Sequence, residues 1–374
     1  MGSLRKLQRV IQIDTTFLIM QTILITGGAG FVGSNLAMLL KEKYEGYSVI
    51  CFDNLKRRGS ELNLARLKGH GIKFIHGDIR DKNDFDQIQM PVHCIIDAAA
   101  EPSVMAGLDG NTAYLIDTNL NGTINTLNFS LKHKADFIFL STSRVYPIKT
   151  MEEIEVVEAD TRFEIAAIQK IEGVNHDGIS ETFPLTGART LYGATKLASE
   201  MMVEEYNEMF GLRTVINRCG IITGPHQMGK VDQGVIVLWM AKHFWKKDLS
   251  YVGYGGSGKQ VRDMIHIKDL FKIVDRQIHQ IENFNGHVFN VGGGRKVSSS
   301  LLELTKSCQM ITGNTIPIQP VPETRKADVK LYISDIAKIN ALTNWTPEIL
   351  VDEILEDIFL WIKNNQHRLK PILS

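Results

Sequence analysis

The sequence predicts an α/β fold, a doubly wound parallel sheet with a smaller C-terminal α/β lobe. Three observations carry this expectation. Short, continuous apolar runs alternate with longer helical stretches through the first half of the chain, the pattern of a parallel sheet covered on both faces. A glycine-rich turn, Gly27-Gly28-Ala29-Gly30-Phe31-Val32-Gly33, directly follows the first run. At 374 residues the chain exceeds one small domain and falls short of three, so two lobes are expected.

The elements follow in order. Residues 1–19 carry Arg5, Lys6 and Arg9 before a weak apolar patch, Phe17-Leu18-Ile19. They lack the apolar core and small-residue cleavage site of a secretory signal and are expected to be a disordered extension. Met20 opens the first strand, centred on Ile23-Leu24-Ile25, and Phe31 to Leu40 reads as a helix. Val49-Ile50-Cys51-Phe52 is a strand ending in Asp53. Ile72 to Ile75 and Cys94-Ile95-Ile96 are two more. Tyr114 to Leu131 is long enough for a helix, and Phe137-Ile138-Phe139-Leu140 is another buried strand.

This first domain is expected to span 20–217, with an insertion at 151–185. There Glu152, Glu153, Glu155, Glu158 and Asp160 form an acidic stretch with no amphipathic period, read as a surface excursion that contributes to a lid. Residues 218–374 are expected to form mainly a second, ligand-binding lobe, with some return to the sheet. Two helical stripes there, Leu270/Val274/Ile278/Ile281 and Val351/Ile354/Ile358/Trp361/Ile362, read as core contacts.

Composition excludes several functions. Lys+Arg and Asp+Glu are equal at 42 each, which argues against a nucleic-acid partner or a basic membrane-binding surface. No apolar run approaches the ~20 residues of a membrane span. Cys51, Cys94, Cys219 and Cys308 lie far apart without a CxxC, so they read as buried thiols in a reducing cytoplasm. None of the 11 histidines falls in a metal-ligand spacing, and no metal is expected.

The glycine turn contains GxGxxG from Gly28 and GxxGxxG from Gly27. It follows a strand and opens a helix, and Asp53 stands 20 residues after Gly33, at the end of the second strand. That context reads as a Rossmann-type dinucleotide site, with pyrophosphate on the helix N-terminus. Asp53 would bind the adenosine ribose and repel a 2′-phosphate, which favours NAD over NADP. Lys56, Arg57 and Arg58 would soften that preference. Asp78, ending the third strand, is expected near the adenine. A second glycine run, Gly253 to Gln260, nearly spells a P-loop. Gln260 replaces the hydroxyl that would hold Mg²⁺, and Asp263 and His266 interrupt the expected apolar helix, so it is rejected.

Leu191-Tyr192-Gly193-Ala194-Thr195-Lys196 carries a Tyr-x-x-x-Lys pair, which on a helix faces one way, about 6 Å apart. An ammonium beside a phenol lowers its pKa, so Tyr192 is expected to be the general base and Lys196 its tuning group. The run Ser141-Thr142-Ser143-Arg144-Val145-Tyr146 ends a parallel strand, where hydroxyls point into the ligand crevice.

With these motifs in place the chain, over about residues 20–365, resembles the extended short-chain dehydrogenase/reductases that act on nucleotide sugars. The resemblance rests on Gly27 to Gly33, Asp53, Asp78, Asn119 with Gly122-Thr123, the Ser-Thr-Ser-Arg-Val-Tyr run, Tyr192/Lys196, Arg218 with Gly224-Pro225, and Arg262-Asp263. It implies Thr142, Tyr192 and Lys196 as catalytic residues. It implies NAD contacts at Gly27, Gly30, Phe31, Val32, Gly33, Asp53, Asn54, Asp78, Ile79, Ala98, Tyr192 and Lys196. Substrate contacts are implied at Ser143, Asn119, Arg218, Arg262, Arg325 and Asp328, with Arg262 and Arg325 on the diphosphate and Asp328 on a ribose.

Phe52-Asp53-Asn54-Leu55, His76 to Arg80, Asp232-Gln233-Gly234 and Gly258 to Asp263 are similar to the CDP-paratose/CDP-tyvelose 2-epimerase branch. That implies a CDP-sugar substrate, transient oxidation at C2, a role in O-antigen sugar synthesis and a homodimer or homotetramer. Three features depart from the family: Pro147 in place of a usual Gly, Asp97 in place of a usual His, and the longer stretch before Tyr192. A sugar 4-epimerase uses the same machinery and stays open. A 4,6-dehydratase typically needs Asp-Glu after the catalytic Thr, where Ser143-Arg144 stands here. A non-catalytic NAD-binding protein would be expected to lack the Thr142, Tyr192 and Lys196 set.

Overall fold

The computed structural model describes residues 21–108, 110–229 and 233–374, so the expected extension over 1–19, and Asp232, lie outside the described residues. Seven parallel strands form the main sheet: β1 (Thr22–Thr26), β2 (Ser48–Asp53), β3 (Lys73–His76), β4 (Cys94–Asp97), β5 (Asp136–Thr142), β6 (Thr214–Cys219) and β7 (His287–Val291). Their spatial order is β7-β6-β5-β4-β1-β2-β3. Side-chain alternation explains the unbroken apolar runs. Ile23 and Ile25 join Leu36 and Leu40 of the helix Phe31–Lys43 in one cluster, while Leu24 joins Phe52, Phe137 and Phe139 in another.

The chain order reverses between β1 and β4, so the loops leaving those two strands diverge and open a crevice at their carboxyl ends. The helix Leu191–Phe210 crosses behind β5. It starts at Thr190, whose Oγ1 accepts from Gly193 N at 3.1 Å, and stops at Gly211, which takes φ +66°.

The second lobe has its own core. Strand Val261–His266 pairs with Ile221–Thr223, Ser298–Ser300 and Leu331–Tyr332, and Leu249–Val252 pairs with Ile318–Val321. Helices Val235–Phe244, Leu301–Thr312 and Val351–Asn364 enclose Trp239, Met240, Leu304, Ile354, Ile358 and Trp361. The boundary expected at 217/218 falls inside β6. From there the chain crosses to the second lobe and returns, with helix Ile267–His279 packing Leu270, Ile273, Val274 and Ile278 into the first core.

The insertion corrects its sequence reading. It is more than a surface excursion: it forms two short hairpins, Val156–Glu158 with Phe163–Ile165 and Val174–Asn175 with Gly178–Ile179. Ile179 and Phe183 are buried with Val145, Tyr146, Val329 and Tyr332. Phe163 N donates to Lys259 O at 2.9 Å and Ile179 N to Ile333 O at 2.8 Å, so the segment ties the β5 end to the second lobe. Strands of two or three residues are too short to show a period, which is why the sequence conceals them. All four cysteines are free and buried. No helix among the described residues is long and apolar enough to cross a membrane.

Candidate active site

One cavity of about 1030 Å³ runs from the glycine turn, past the ends of β4 and β5, to the second lobe. It is of the size that holds a cofactor and a ligand together. Gly27, Gly30, Phe31, Val32, Gly33, Asp53, Asn54, Ile79 and Ala98 line one end. The helix Phe31–Lys43 has no side-chain cap bond at Gly30, so its first N–H groups remain available to an anion. A Cβ at Gly33 would collide with Gly27 O, so no side chain can stand between turn and helix. Asp53 braces this turn: its oxygens accept from Ala29 N at 3.1 Å and Leu55 N at 2.7 Å. Burial raises its pKa, and those N–H groups oppose the rise. Free helix N–H groups, a glycine cradle and a carboxylate at the end of β2 fit a dinucleotide. Exchanging Gly33 for valine is expected to abolish NAD binding, measured by titration of the purified protein, with the melting curve as a control for folding.

Two expected contacts turn elsewhere. Asp78 pairs with Arg80 at 2.6 Å and accepts from Asn54 Nδ2 at 2.9 Å. Burial pushes its carboxyl up, but Arg80 and Asn54 outweigh it and hold the group at about 2. Its neighbours Gly77 and Ile79 face the cavity instead. Asn119, expected to touch substrate, is fully buried. It donates to Glu101 O and Thr195 Oγ1 and accepts from Glu101 N, tying the β4 loop to the helix Leu191–Phe210.

At the centre stand Thr142, Ser143, Tyr192 and Lys196. Gly193 allows this meeting, since a Cβ there would collide with Arg144 O. Burial raises the Tyr192 phenol to about 12, against a hydrogen bond with Thr142 and the charge of Arg144; Glu101 and Cys219 add to the rise. Lys196, expected to acidify that phenol, lines the same cavity. Its Nζ lies 3.9 Å from the Phe139 ring centroid. Burial lowers it to about 8, and Asp97, Glu200 and Cys219 resist that fall. Asp97, itself raised by burial, accepts from Thr26 Oγ1 and Thr123 Oγ1. The i, i+4 spacing put both side chains on one helix face; of the groups around Lys196, Glu200 lies on the same helix, while Asp97, Phe139 and Cys219 come from β4, β5 and β6, which only the fold supplies.

Arg218 also departs from expectation. It lies buried against Glu200, with Nη2 2.7 Å from Oε2, and it touches Tyr146 rather than the cavity. Burial lowers its pKa, but the Glu200 carboxylate outweighs that and leaves it raised. Arg262, Arg325 and Asp328 do line the far wall, with Arg262 Nη2 2.5 Å from Asp328 Oδ1. Sequence reasoning assigned no site role to Arg144, Glu101, Gln233 or Gln260, all of which line the cavity. Arg144 carried a signal in its place two residues after Thr142, and Gln233 and Gln260 in the motifs Asp232-Gln233-Gly234 and Gly258 to Asp263; Glu101 carried none. The wall thus offers a proton-transfer pair, a buried ammonium and guanidinium groups suited to phosphate.

Comparison with known proteins agrees with this geometry. Residues 23–292 match the model of the NAD dependent epimerase/dehydratase family. The chain is 30% identical over 347 residues to the CDP-paratose 2-epimerase of Salmonella typhi, covering 91% of this chain and 98% of that one. It is 29% identical to a putative UDP-glucose 4-epimerase of Methanocaldococcus jannaschii, over 92% and 99% of the two chains. Among solved structures, the UDP-glucose 4-epimerase of Thermotoga maritima with UDP-glucose superposes with a TM-score of 0.71 at 26% identity, over 92% and 100%. The fold is shared with a dTDP-glucose 4,6-dehydratase of Bacillus anthracis solved with NAD, at a TM-score of 0.74 and 24% identity over 94% and 99%. A family match across the glycine turn, the Thr142 strand and the Tyr192 helix places this chain in the NAD dependent epimerase/dehydratase family.

Proposed function

We propose that the protein is a nucleotide-sugar epimerase that inverts C2 of a CDP-sugar of the paratose/tyvelose type. The observation that carries the epimerase reading is the Thr142-Ser143-Arg144 turn beside Tyr192. It offers hydroxyls and a cation where elimination of water would call for an acid pair. The choice of C2 and of cytidine is supported by the 30% identity to the Salmonella typhi CDP-paratose 2-epimerase across nearly its whole length.

Bound NAD supplies a hydride acceptor that gives the hydride back to the same carbon. The chain's own residues handle the proton. Tyr192, as phenolate, takes the proton of the reacting hydroxyl while the C–H electrons leave, forming a keto sugar. Thr142, bonded to the Tyr192 hydroxyl, orients that transfer. Positive charge is needed to bring the phenol down from about 12, and Arg144 supplies part of it. Lys196, held charged by Asp97 and Glu200, would contribute a positive charge to the part of the cavity that holds the cofactor. The cavity is wide enough for the flat keto sugar to present its other face. Tyr192 then returns the proton. Exposed Met201, Met209 and Phe210 on the helix Leu191–Phe210 support a homo-oligomer.

A second reading, 4-epimerisation of a UDP-sugar, is favoured by the likeness to the Methanocaldococcus jannaschii and Thermotoga maritima proteins. Incubation with CDP-, UDP-, GDP- and dTDP-sugars, followed by proton NMR, separates the two. We expect inversion at C2 of a CDP-sugar, with deuterium placed on C2 retained in the product. Inversion at C4 would reject the C2 assignment. Wash-out of the label into solvent would reject the hydride scheme.

A further inference from the structure

Arg144 differs from Arg218 and Arg262. Arg218 is neutralised by Glu200, and Arg262 by Asp328. Arg144 pairs with no carboxylate among the described residues. Its side chain makes one hydrogen bond there, from Nη1 to Ala327 O at 2.9 Å. Burial and the nearby Arg262 lower its pKa to about 10, with Asp328, Tyr192 and Tyr254 opposing. A guanidinium without a carboxylate partner that lines a cavity is suited to bind an anion there.

Its position says which anion. The backbone of Arg144 is fixed at the catalytic centre: its N–H donates to Thr142 Oγ1 at 3.2 Å, and its carbonyl packs against Gly193. Its side chain reaches Ala327, between Arg325 and Asp328 on the second lobe. It therefore spans from the proton-transfer residues to the wall expected to hold the diphosphate. In a nucleotide sugar the β-phosphate is bonded through oxygen to C1. C2 is the neighbouring carbon, whereas C4 lies across the ring. Presenting O2 to Tyr192 brings the β-phosphate alongside the catalytic turn, and presenting O4 holds it on the far side.

We propose that Arg144 grips the β-phosphate beside the reacting hydroxyl and thereby selects C2 for reaction. This rests on the 2-epimerase reading. Two parallel N–H donors of one guanidinium match two phosphate oxygens, so the contact fixes orientation as well as distance.

The test uses the full-length, NAD-loaded protein and calorimetric titration with CDP and with CMP, which lacks the β-phosphate. Arg144→Gln keeps a donor for Ala327 O and removes the charge. It is expected to weaken CDP about tenfold and to leave CMP within about twofold. Arg144→Lys, a point charge without the fork, should recover part of the loss. It also carries the comparison if the glutamine variant lacks a cooperative melting transition: the lysine variant should then bind CDP less tightly, with CMP unchanged. If the panel selects uridine, UDP and UMP take the place of the cytidine pair. An unchanged diphosphate-to-monophosphate ratio in both variants overturns the grip. A reduced ratio in an enzyme that inverts C4 overturns the selection of C2 and leaves the phosphate contact. Inversion at C2 with an unchanged ratio leaves the proposed function standing and removes Arg144 from it.

Discussion

Replacing Tyr192 with phenylalanine is expected to lower turnover about a thousandfold while NAD and nucleotide binding stay near wild-type. The substitution removes one oxygen from a buried ring and no packing. The phenol's bond to Thr142 is lost, but the Thr142 hydroxyl still caps the Ser143–Val145 turn by accepting from Arg144 N. What disappears is the group proposed to hold the substrate proton as the C–H bond breaks and to return it afterwards. Thr142 and Ser143 are too weakly acidic to replace it. The measurement is single-turnover conversion of the sugar, with NAD content read by absorbance after denaturation. Near-normal turnover with a full complement of NAD would remove Tyr192 from the chemistry.

Replacing Glu200 with alanine is expected to destabilise the protein by about 3–5 kcal/mol. Both members of the Glu200–Arg218 pair are buried, with side-chain exposures of 1% and 5%. Glu200 accepts from Arg218 Nε and Nη2 and from Ser141 Oγ, so it joins the Tyr192 helix to both β5 and β6. Its loss strands the Arg218 charge, with Tyr146 as the remaining nearby hydrogen-bond acceptor. Changing Glu200 and Arg218 together to methionine should recover most of the loss, because no charge is then left uncompensated. Urea unfolding of the NAD-loaded protein reads both. A single-variant loss under about 1 kcal/mol would mean the pair is solvated and not a buried brace.

Much of the site was legible before the fold was known, and the reason is locality. The glycine turn, the aspartate ending β2, the Tyr192/Lys196 spacing and the hydroxyls ending β5 each depend on residues within one or two elements. Secondary structure alone orients them toward the carboxyl edge of a parallel sheet. Asp78 turned to Arg80, two residues on, but for Arg218 and Asn119 a deciding partner lay in another element. Arg218 reads as a ligand-binding residue at the end of β6, yet Glu200, 18 residues away, holds it. Asn119 reads the same way, but Thr195, 76 residues on, accepts one of its hydrogen bonds.

The insertion teaches the same lesson from the side of packing. Its acidic composition describes only its outer surface. Ile179 and Phe183 are buried by Val329 and Tyr332, contributed from the other end of the chain.

The sequence by itself therefore determined the parallel α/β sheet and the glycine turn of a dinucleotide site, because apolar period and short spacing specify them, and the family resemblance it carries named Thr142, Tyr192 and Lys196 as the candidate reactive set. Only the tertiary structure decided which charges are spent internally and which face the cavity. Lys196 sits over the Phe139 ring, Arg218 is neutralised, and the Arg144 side chain has, among the described residues, one hydrogen bond, to Ala327, 183 residues distant. A buried charge answers to whatever group packing brings within a few ångströms, and that group need not be near it in the chain.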